Sequence, residues 1–232
     1  MHAVETFPKT DNQASLQLNA DGSLRHLLTL QGLEKPLLIG LLDDAERFLT
    51  PMGGIPARSQ ALAGRTVANL FFEASTRTRA SFDLAGKRLG ADVLNLDVNT
   101  SSRKKGESIL DMIYTLQAMQ VDIMVVRDAS AGVPAYIARH VDEPVSILNA
   151  GESDVSHPTQ GLLDLLTIRQ HKGGFENLTV AIVGDITHSR VARSAAHGLE
   201  TLGVGELRLI SPPALAPDPD DMPFAKLMDN LD

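Results

Sequence analysis

The sequence contains no cysteine and no tryptophan, and only 4% of its 232 residues are aromatic. The absence of cysteine excludes disulfides and thiolate chemistry. So few aromatic side chains argue against a protein that stacks single-stranded bases. No apolar run is long enough to span a bilayer, and the polar start MHAVETFPKTDNQ lacks the apolar core of a signal peptide. These absences predict a soluble, cytoplasmic, globular protein.

Positive charge is also in short supply. The chain has 21 Lys and Arg against 29 Asp and Glu, a net charge of -8. This balance is unfavourable for a general binder of nucleic acid or of anionic membranes. No two histidines have the spacing of zinc ligands on a helix, so no metal site is predicted. Any cationic site must therefore be a local arrangement.

Short apolar runs alternate with helical segments through the first two thirds of the chain. An amphipathic helix, LEKPLLIGLLDDAERFL (33–49), comes first. The strand candidates that follow are RTVANLFF, DVLNLD, DIMVVR and PVSILN. Apolar strands separated by helices predict an α/β fold with a parallel sheet covered by helices on both faces.

A long helix beginning at Pro158 introduces a second region. It is followed by a strand NLTVAIVGD, a helix, a strand ELRLIS and a proline-rich loop. We predict a polar leader over residues 1–22, a first domain over 23–156 and a second over 157–232. Because only two strands follow the boundary, the second α/β domain is expected to be incomplete.

The segment FEASTRTRAS (72–81) places polar and cationic side chains at the end of a core strand. Five consecutive residues form what we call the pentad: Ser75, Thr76, Arg77, Thr78 and Arg79. In a strand-to-helix turn they would meet the free N–H groups and the positive dipole end of a helix. Short hydroxyl donors and planar guanidinium groups there suit a phosphate. The alternative is a capping hydroxyl followed by solvated arginines.

Three further features extend this anion site. NTSSRKKGES (99–108) places three adjacent cations before another helix, which alone could be an exposed basic loop. Arg127 follows DIMVV at another strand end. His157 precedes Pro158 at a helix start, where a neutral imidazole that donates one N–H is favoured. Gln160, in the first turn, adds an amide acceptor, so the pair suits a polarised carbonyl that carries an NH2 group.

In this order, FFEASTRTRASF, NTSSRKKGES, MVVRD, LNAGESDVSHPTQGLLDLLTI and VAIVGDITHSR closely resemble the catalytic chains of the aspartate and ornithine carbamoyltransferase family. The resemblance covers nearly all of residues 20–210. STRTR and HPTQ are common to both branches. NTSSRKKGE and LNAGESDVSHPTQGLLDL resemble the aspartate branch.

The resemblance implies that the first domain, 23–156, binds carbamoyl phosphate and that the second, 157–232, is a partial aspartate-binding domain. It also implies roles for individual residues. Ser75, Thr76, Arg77 and Thr78 would hold the phosphate of carbamoyl phosphate, and Arg77 would neutralise it as it leaves. The carbonyl oxygen would accept from Thr78, Arg127 and His157, and Gln160 would meet the carbamoyl nitrogen. The remaining matches are Ser101 and Lys105 from a neighbouring subunit, Lys105 and Arg190 for aspartate, and Glu73 as a bridge between the domains.

The implied activity is carbamoyl transfer from carbamoyl phosphate to L-aspartate in pyrimidine biosynthesis, with no cofactor, metal or covalent intermediate. The implied partners are the other subunits of a homotrimer with shared active sites. A larger assembly with regulatory or dihydroorotase-like chains is left open. Family chains contain further aspartate-binding residues beyond the segments matched here, so the 232-residue chain is expected not to carbamoylate aspartate. Two alternatives remain, a carbamoyltransferase for ornithine or another amine, and a non-catalytic chain that binds carbamoyl phosphate or serves assembly.

Overall fold

The computed structural model describes residues 13–96 and 108–230, which form two compact units. The first unit contains the described residues up to Leu28 together with Thr50–Ser153. The second contains Thr29–Leu49 and the described residues from Asp154 onward. The predicted division at 156 and 157 did not include the excursion of 29–49 into the second unit. The assignment of one ligand to each domain stays a prediction.

Helices and strands alternate along the described chain. The helices are α1 (Gln13–Leu16), α2 (Lys35–Arg47), α3 (Thr76–Arg88), α4 (Ile109–Ala118), α5 (Val133–Ala138), α6 (Pro158–Lys172) and α7 (Arg190–Leu202). The strands are β1 (Thr66–Phe71), β2 (Asp92–Leu96), β3 (Ile123–Asp128), β4 (Ser146–Glu152), β5 (Thr179–Val183), β6 (Glu206–Ile210) and β7 (Lys226–Met228). A short 3-10 helix spans Pro213–Leu215.

The first unit is built on a four-stranded parallel sheet in the order β2-β1-β3-β4. Alternate residues of β1 enter different cores, Ala68 and Leu70 on one face and Val67 and Phe71 on the other. Helices α4 and α5 contribute to the larger core, and Phe82 of α3 packs against the smaller one. Burial of both faces explains why the strands are apolar runs without polar alternation. The predicted covered parallel sheet is confirmed.

The described part of the predicted polar leader contains regular structure. Gln13–Leu16 forms α1, and the backbone of Leu18 bridges to Leu24. Gln17 is fully buried, and its side-chain oxygen accepts a hydrogen bond of 2.7 Å from the Leu28 amide. A polar residue is stable there because its acceptor is satisfied by backbone. Composition alone could not reveal this contact.

The second unit contains a three-stranded parallel sheet in the order β5-β6-β7, together with α2, α6 and α7. The strand β7 was missed in the sequence, because three residues are too short to show a period and only pairing with β6 defines them. The edge strand β5 is poorly covered, and Val183 is 60% exposed. Apolar side chains of β5 are therefore exposed, whereas those of β6 are buried.

Glycine allows two helices of the second unit to approach closely. A Cβ on Gly198 in α7 would lie 2.5 Å from a Leu165 methyl of α6. A Cβ on Gly161 in α6 would lie 2.8 Å from Leu30 and 3.1 Å from Ser194. Real Cβ atoms essentially never lie closer than 3.0 Å to another atom, so a larger residue at either position would force a buried leucine side chain to shift. This packing holds the start of α6, where His157 lies, beside α7.

No helix in the described ranges has the length and apolar character needed to cross a membrane.

The buried His26 gives the first unit a sensitivity to acid. Its side chain is 1% exposed, and its Nδ1 accepts a 2.9 Å hydrogen bond from the Ile147 amide. Burial, assisted by the charge of Arg25, lowers the pKa of His26 to about 4. The folded state holds the ring neutral. The contribution of His26 to stability is therefore fully present above its ordinary pKa near 6.5 and is lost as the pH falls toward 4.

We expect His26→Asn to flatten the pH dependence of unfolding, because the asparagine oxygen can replace the Nδ1 acceptor without titrating. Between pH 7 and 4 the wild-type protein should lose about 3 kcal/mol more stability than the variant. Urea unfolding at several pH values measures the difference, and groups present in both proteins, such as His197, cancel. Parallel curves for the two proteins would contradict this account.

Candidate functional site

The parallel sheet of the first unit brings two functional segments to one edge. Because all four strands run in the same direction, their carboxyl ends share that edge. Phe71, the last residue of β1, is paired with Arg127 of β3, and the Phe72 amide donates to the Arg127 carbonyl at 2.9 Å. The turn from β1 to α3 therefore begins beside Arg127. Ligands of open α/β proteins bind at this edge.

The pentad occupies the start of α3, as the sequence predicted. Ser75 is the N-cap residue in an extended conformation, and its side chain makes no capping hydrogen bond. Arg77 and Arg79 are exposed, while Ser75 and Thr78 are half-buried. No acidic residue occupies the first turn. Each arginine near this helix end destabilises the helix by a few tenths to ~1 kcal/mol. A bound anion would make their contribution favourable.

None of the five pentad side chains forms a hydrogen bond or ion pair with another residue in the described ranges. The Arg77 carbonyl accepts a hydrogen bond from the Ser81 hydroxyl, which leaves the Arg77 guanidinium uninvolved. Hydroxyl and guanidinium donors therefore stand together at a helix N-terminus. This arrangement can hold a tetrahedral anion such as phosphate.

Arg127 is fixed by two contacts within the first unit. The side chain is mostly buried, and one guanidinium nitrogen donates to the Ala150 carbonyl at 3.1 Å. The other lies 3.1 Å from a carboxylate oxygen of Glu73, just after β1. A buried arginine needs such partners because an uncompensated charge is costly. Glu73 was predicted to bridge the domains, and the contact that the structure gives it here is to Arg127.

A chain of polar side chains holds α3 on the sheet. The buried Asn69 of β1 donates to the Asn95 oxygen of β2 at 2.9 Å, and Asn95 donates to Asp83 of α3 at 2.8 Å. Lys87 also donates to Asp83, at 2.8 Å. The hydrogen bond from Lys87, followed by that from Asn95, holds the pKa of Asp83 below its ordinary value. These contacts orient the helix that carries the pentad, and no sequence motif indicated them.

In the second unit, His157 is the N-cap residue of α6 and Pro158 occupies the first helical position, as predicted. The His157 amide donates to the Ser194 hydroxyl at 2.9 Å, which ties the helix start to α7. The imidazole Nδ1 lies 3.4 Å from the Thr159 hydroxyl, and the residue is 7% exposed. Gln160 donates from its amide nitrogen to Asp164 at 3.0 Å.

The other predicted site residues lie elsewhere. Arg190 is the first residue of α7, where Ser189 caps the helix by accepting from the Ala192 amide. Glu73 belongs to the first unit and Arg190 to the second. Ser101 and Lys105 lie outside the described residues.

Sequence analysis missed two buried carboxylates at the functional edge. Asp128 ends β3 and is paired in register with Glu152 at the end of β4. Both are almost completely buried. Glu152 accepts from the Gly132 amide at 3.2 Å, and Asp128 accepts from the Ser130 amide at 2.8 Å. Their position at the ends of β3 and β4 was the available signal, since Arg127 also lies at the end of β3.

The fold and the candidate site together define a class, an α/β protein with a candidate anion site at the carboxyl edge of a parallel sheet. A family model described as the aspartate/ornithine carbamoyltransferase, carbamoyl-P binding domain matches residues 25–170. That match covers more than half of the chain. The chain belongs to the aspartate/ornithine carbamoyltransferase family.

Solved structures agree with this assignment. Aspartate transcarbamoylase from Trypanosoma cruzi, in complex with carbamoyl phosphate and aspartate, is 30% identical with a TM-score of 0.78, over 94% of this chain and 69% of that one. The catalytic subunit of aspartate transcarbamoylase from M. jannaschii is 32% identical with a TM-score of 0.77, over 90% and 69%. Ornithine carbamoyltransferase from Thermus thermophilus is 29% identical with a TM-score of 0.76, over 89% and 68%.

Replacing Arg77 should separate anion binding from folding. Arg77→Ala is expected to weaken binding of inorganic phosphate about 10- to 100-fold, since charged hydrogen bonds contribute ~1.5–3 kcal/mol. The thermal unfolding temperature should not fall, because the side chain is exposed. Calorimetric titration with phosphate measures the change.

Arg79→Ala is the matched control for this substitution, because it removes the same charge from the same helical turn. We expect it to weaken phosphate binding only about two- to threefold, because residues two apart on a helix do not share a face and an exposed charge away from the ligand contributes little. Equal losses in both variants would mean that phosphate responds only to the net charge of the turn, and the assignment of Arg77 would be wrong.

Proposed function

We propose that this protein binds carbamoyl phosphate at the pentad and transfers its carbamoyl group to the amine of L-aspartate. The products are N-carbamoyl-L-aspartate and phosphate. The observation that carries the proposal is the grouping of Ser75, Thr76, Arg77 and Thr78 at the start of α3, beside Arg127, in a chain of the carbamoyltransferase family.

The phosphate end of the ligand is assigned to the pentad. Thr76 and Arg77 lie in the first turn of α3, where the N–H groups of a helix lack intrahelical acceptors. Arg77 would gain charge-assisted hydrogen bonds as negative charge accumulates on the leaving phosphate. Its exposed guanidinium can adapt to that change without breaking another contact in the described part of the chain.

The carbonyl end is assigned to Thr78, Arg127 and His157 as donors and to Gln160 as the acceptor for the carbamoyl nitrogen. Attack by an amine moves negative charge onto the carbonyl oxygen, so fixed donors aimed at that atom stabilise the transition state. Arg127 suits this role because its bond to the Ala150 carbonyl restricts its orientation. The Glu73 carboxylate is the competing partner that this donor has at present.

The amine substrate is assigned to aspartate. The support is the NTSSRKKGE segment, which resembles the aspartate branch, and the aspartate transcarbamoylases among the similar structures. Arg190 and Lys105 would contact the aspartate carboxylates. We extend the proposal to a homotrimer in which Ser101 and Lys105 serve the neighbouring subunit, an extension supported by the sequence resemblance alone. Holding two anionic substrates side by side would supply much of the rate enhancement.

An assay with two acceptors tests the substrate. Radiolabelled carbamoyl phosphate is incubated with the protein and either L-aspartate or L-ornithine, and carbamoylated product is quantified. Any turnover should be found with aspartate, because Lys105 and Arg190 provide cations for its carboxylates. Product from ornithine would contradict the aspartate assignment. Carbamoyl phosphate affinity is measured in the same samples.

His157→Ala should weaken carbamoyl phosphate binding about tenfold. The affinity for inorganic phosphate should change less than about twofold, because the imidazole is assigned to the carbonyl oxygen only. The bond from the His157 amide to Ser194 does not depend on the side chain. His171→Ala, which removes an exposed imidazole from the same helix, is the control. If His157→Ala weakens the binding of both ligands equally, the imidazole does not contact the carbamoyl group.

A further inference from the structure

Gln160 and Asp164 form a pair on one face of α6. The side-chain nitrogen of Gln160 donates to a carboxylate oxygen of Asp164 at 3.0 Å. An ionised carboxylate can only accept hydrogen bonds, so the amide nitrogen of Gln160 must face Asp164. The amide oxygen therefore points away from Asp164, and one of two nearly isosteric orientations of the amide is selected.

The surroundings of Asp164 distinguish this pair from an ordinary surface contact. Asp164 and Gln160 are both partly buried. Burial raises the pKa of Asp164, and the hydrogen bond from Gln160 acts in the opposite direction. Within the described residues, Gln160 is the hydrogen-bond donor to this carboxylate. A glutamine and an aspartate four residues apart stabilise a helix only weakly, so helix stability does not explain why a carboxylate is partly buried here.

We propose that Asp164 is a positioning residue that holds the Gln160 oxygen toward the carbamoyl nitrogen and so makes the site select a carbamoyl group over an acyl group without N–H. The inference rests on the proposed function, in which Gln160 meets that nitrogen. A carbamoyl NH2 group offers donors to the fixed oxygen, whereas the methyl group of acetyl phosphate offers none. A site that hydrogen-bonds a substrate N–H rejects the analogue that lacks it, because the polar group of the site is left unpaired.

Asp164→Asn tests the proposal with little change in volume. An asparagine both donates and accepts, so it can bind the Gln160 amide in either orientation. Dissociation constants of the 232-residue protein for carbamoyl phosphate, acetyl phosphate and inorganic phosphate are measured by calorimetry at low temperature. We expect Asp164→Asn to reduce the preference for carbamoyl over acetyl phosphate about tenfold, with inorganic phosphate unchanged. Asp164→Glu, which keeps an acceptor-only group, should retain more of the preference.

A double-mutant cycle shows whether Asp164 acts through Gln160. Gln160→Ala should abolish the preference, and adding Asp164→Asn to it should cause no further change. An unchanged preference in folded Asp164→Asn would overturn the proposal, as would an equal loss in the Gln160→Ala background. Asp44→Asn, which removes an exposed carboxylate from α2, controls for the lost charge.

The remaining outcomes are also decisive. If Asp164→Asn does not fold, the side-chain amide protons of Gln160 are observed by NMR in the wild-type protein, and rapid unprotected exchange would overturn the proposal. A wild-type protein that binds phosphate but does not prefer carbamoyl phosphate would overturn this inference and leave the phosphate site intact. A wild-type protein that binds neither phosphate nor carbamoyl phosphate would overturn the proposed function itself.

Discussion

The parallel arrangement of β2-β1-β3-β4 is the constraint on which the candidate site depends. It places every carboxyl strand end at one edge, so residues far apart in sequence become neighbours. Phe71 and Arg127 are paired in register although more than fifty residues separate them. The sheet can adopt this arrangement because both faces of β1 and β3 are buried in apolar cores. The polar groups are confined to the strand ends, where the sheet stops and the backbone turns into helices.

At this edge, uncompensated positive charge lies on a helix whose orientation is fixed by packing and hydrogen bonds. The arginines of the pentad occupy a helix end that disfavours cations, and no acidic residue in that turn compensates them. Arg127, which is mostly buried, is compensated by Glu73 and by the Ala150 carbonyl. The helix cannot easily rotate to relieve the imbalance, because Asp83 is bonded to Asn95 and Lys87. A protein of net charge -8 thus keeps a small cationic cluster, where in the proposed function an anionic substrate would compensate the charge.

In the second unit, close helix packing fixes the backbone at the start of α6. Glycines at 161 and 198 allow α6 and α7 to pack closely, and Ser194 bonds to the backbone of His157 at the start of α6. The backbone around His157 is therefore fixed before any ligand contact is made. Gln160 is oriented by its own helix, through the carboxylate of Asp164. The family relationship accounts for the motifs HPTQ and STRTR, but the helices that carry them are positioned by residues outside the motifs, Asp83 in α3 and Ser194 beside α6.

The sequence by itself determined the alternation of strands and helices, the covered parallel sheet, and the positions of the pentad and of His157 at helix starts. These depend on local signals, namely apolar runs, Pro158 and the hydroxyl residues at the start of α3. Tertiary structure alone decided the rest, because the interactions join distant parts of the chain. Residues 29–49 pack with the second unit, and β7 is a strand only through its pairing with β6. Gln17 is buried because a backbone amide eleven residues away satisfies it. The partner of Glu73 is Arg127, because the register of β1 against β3 sets the two side by side and a buried guanidinium requires a nearby carboxylate.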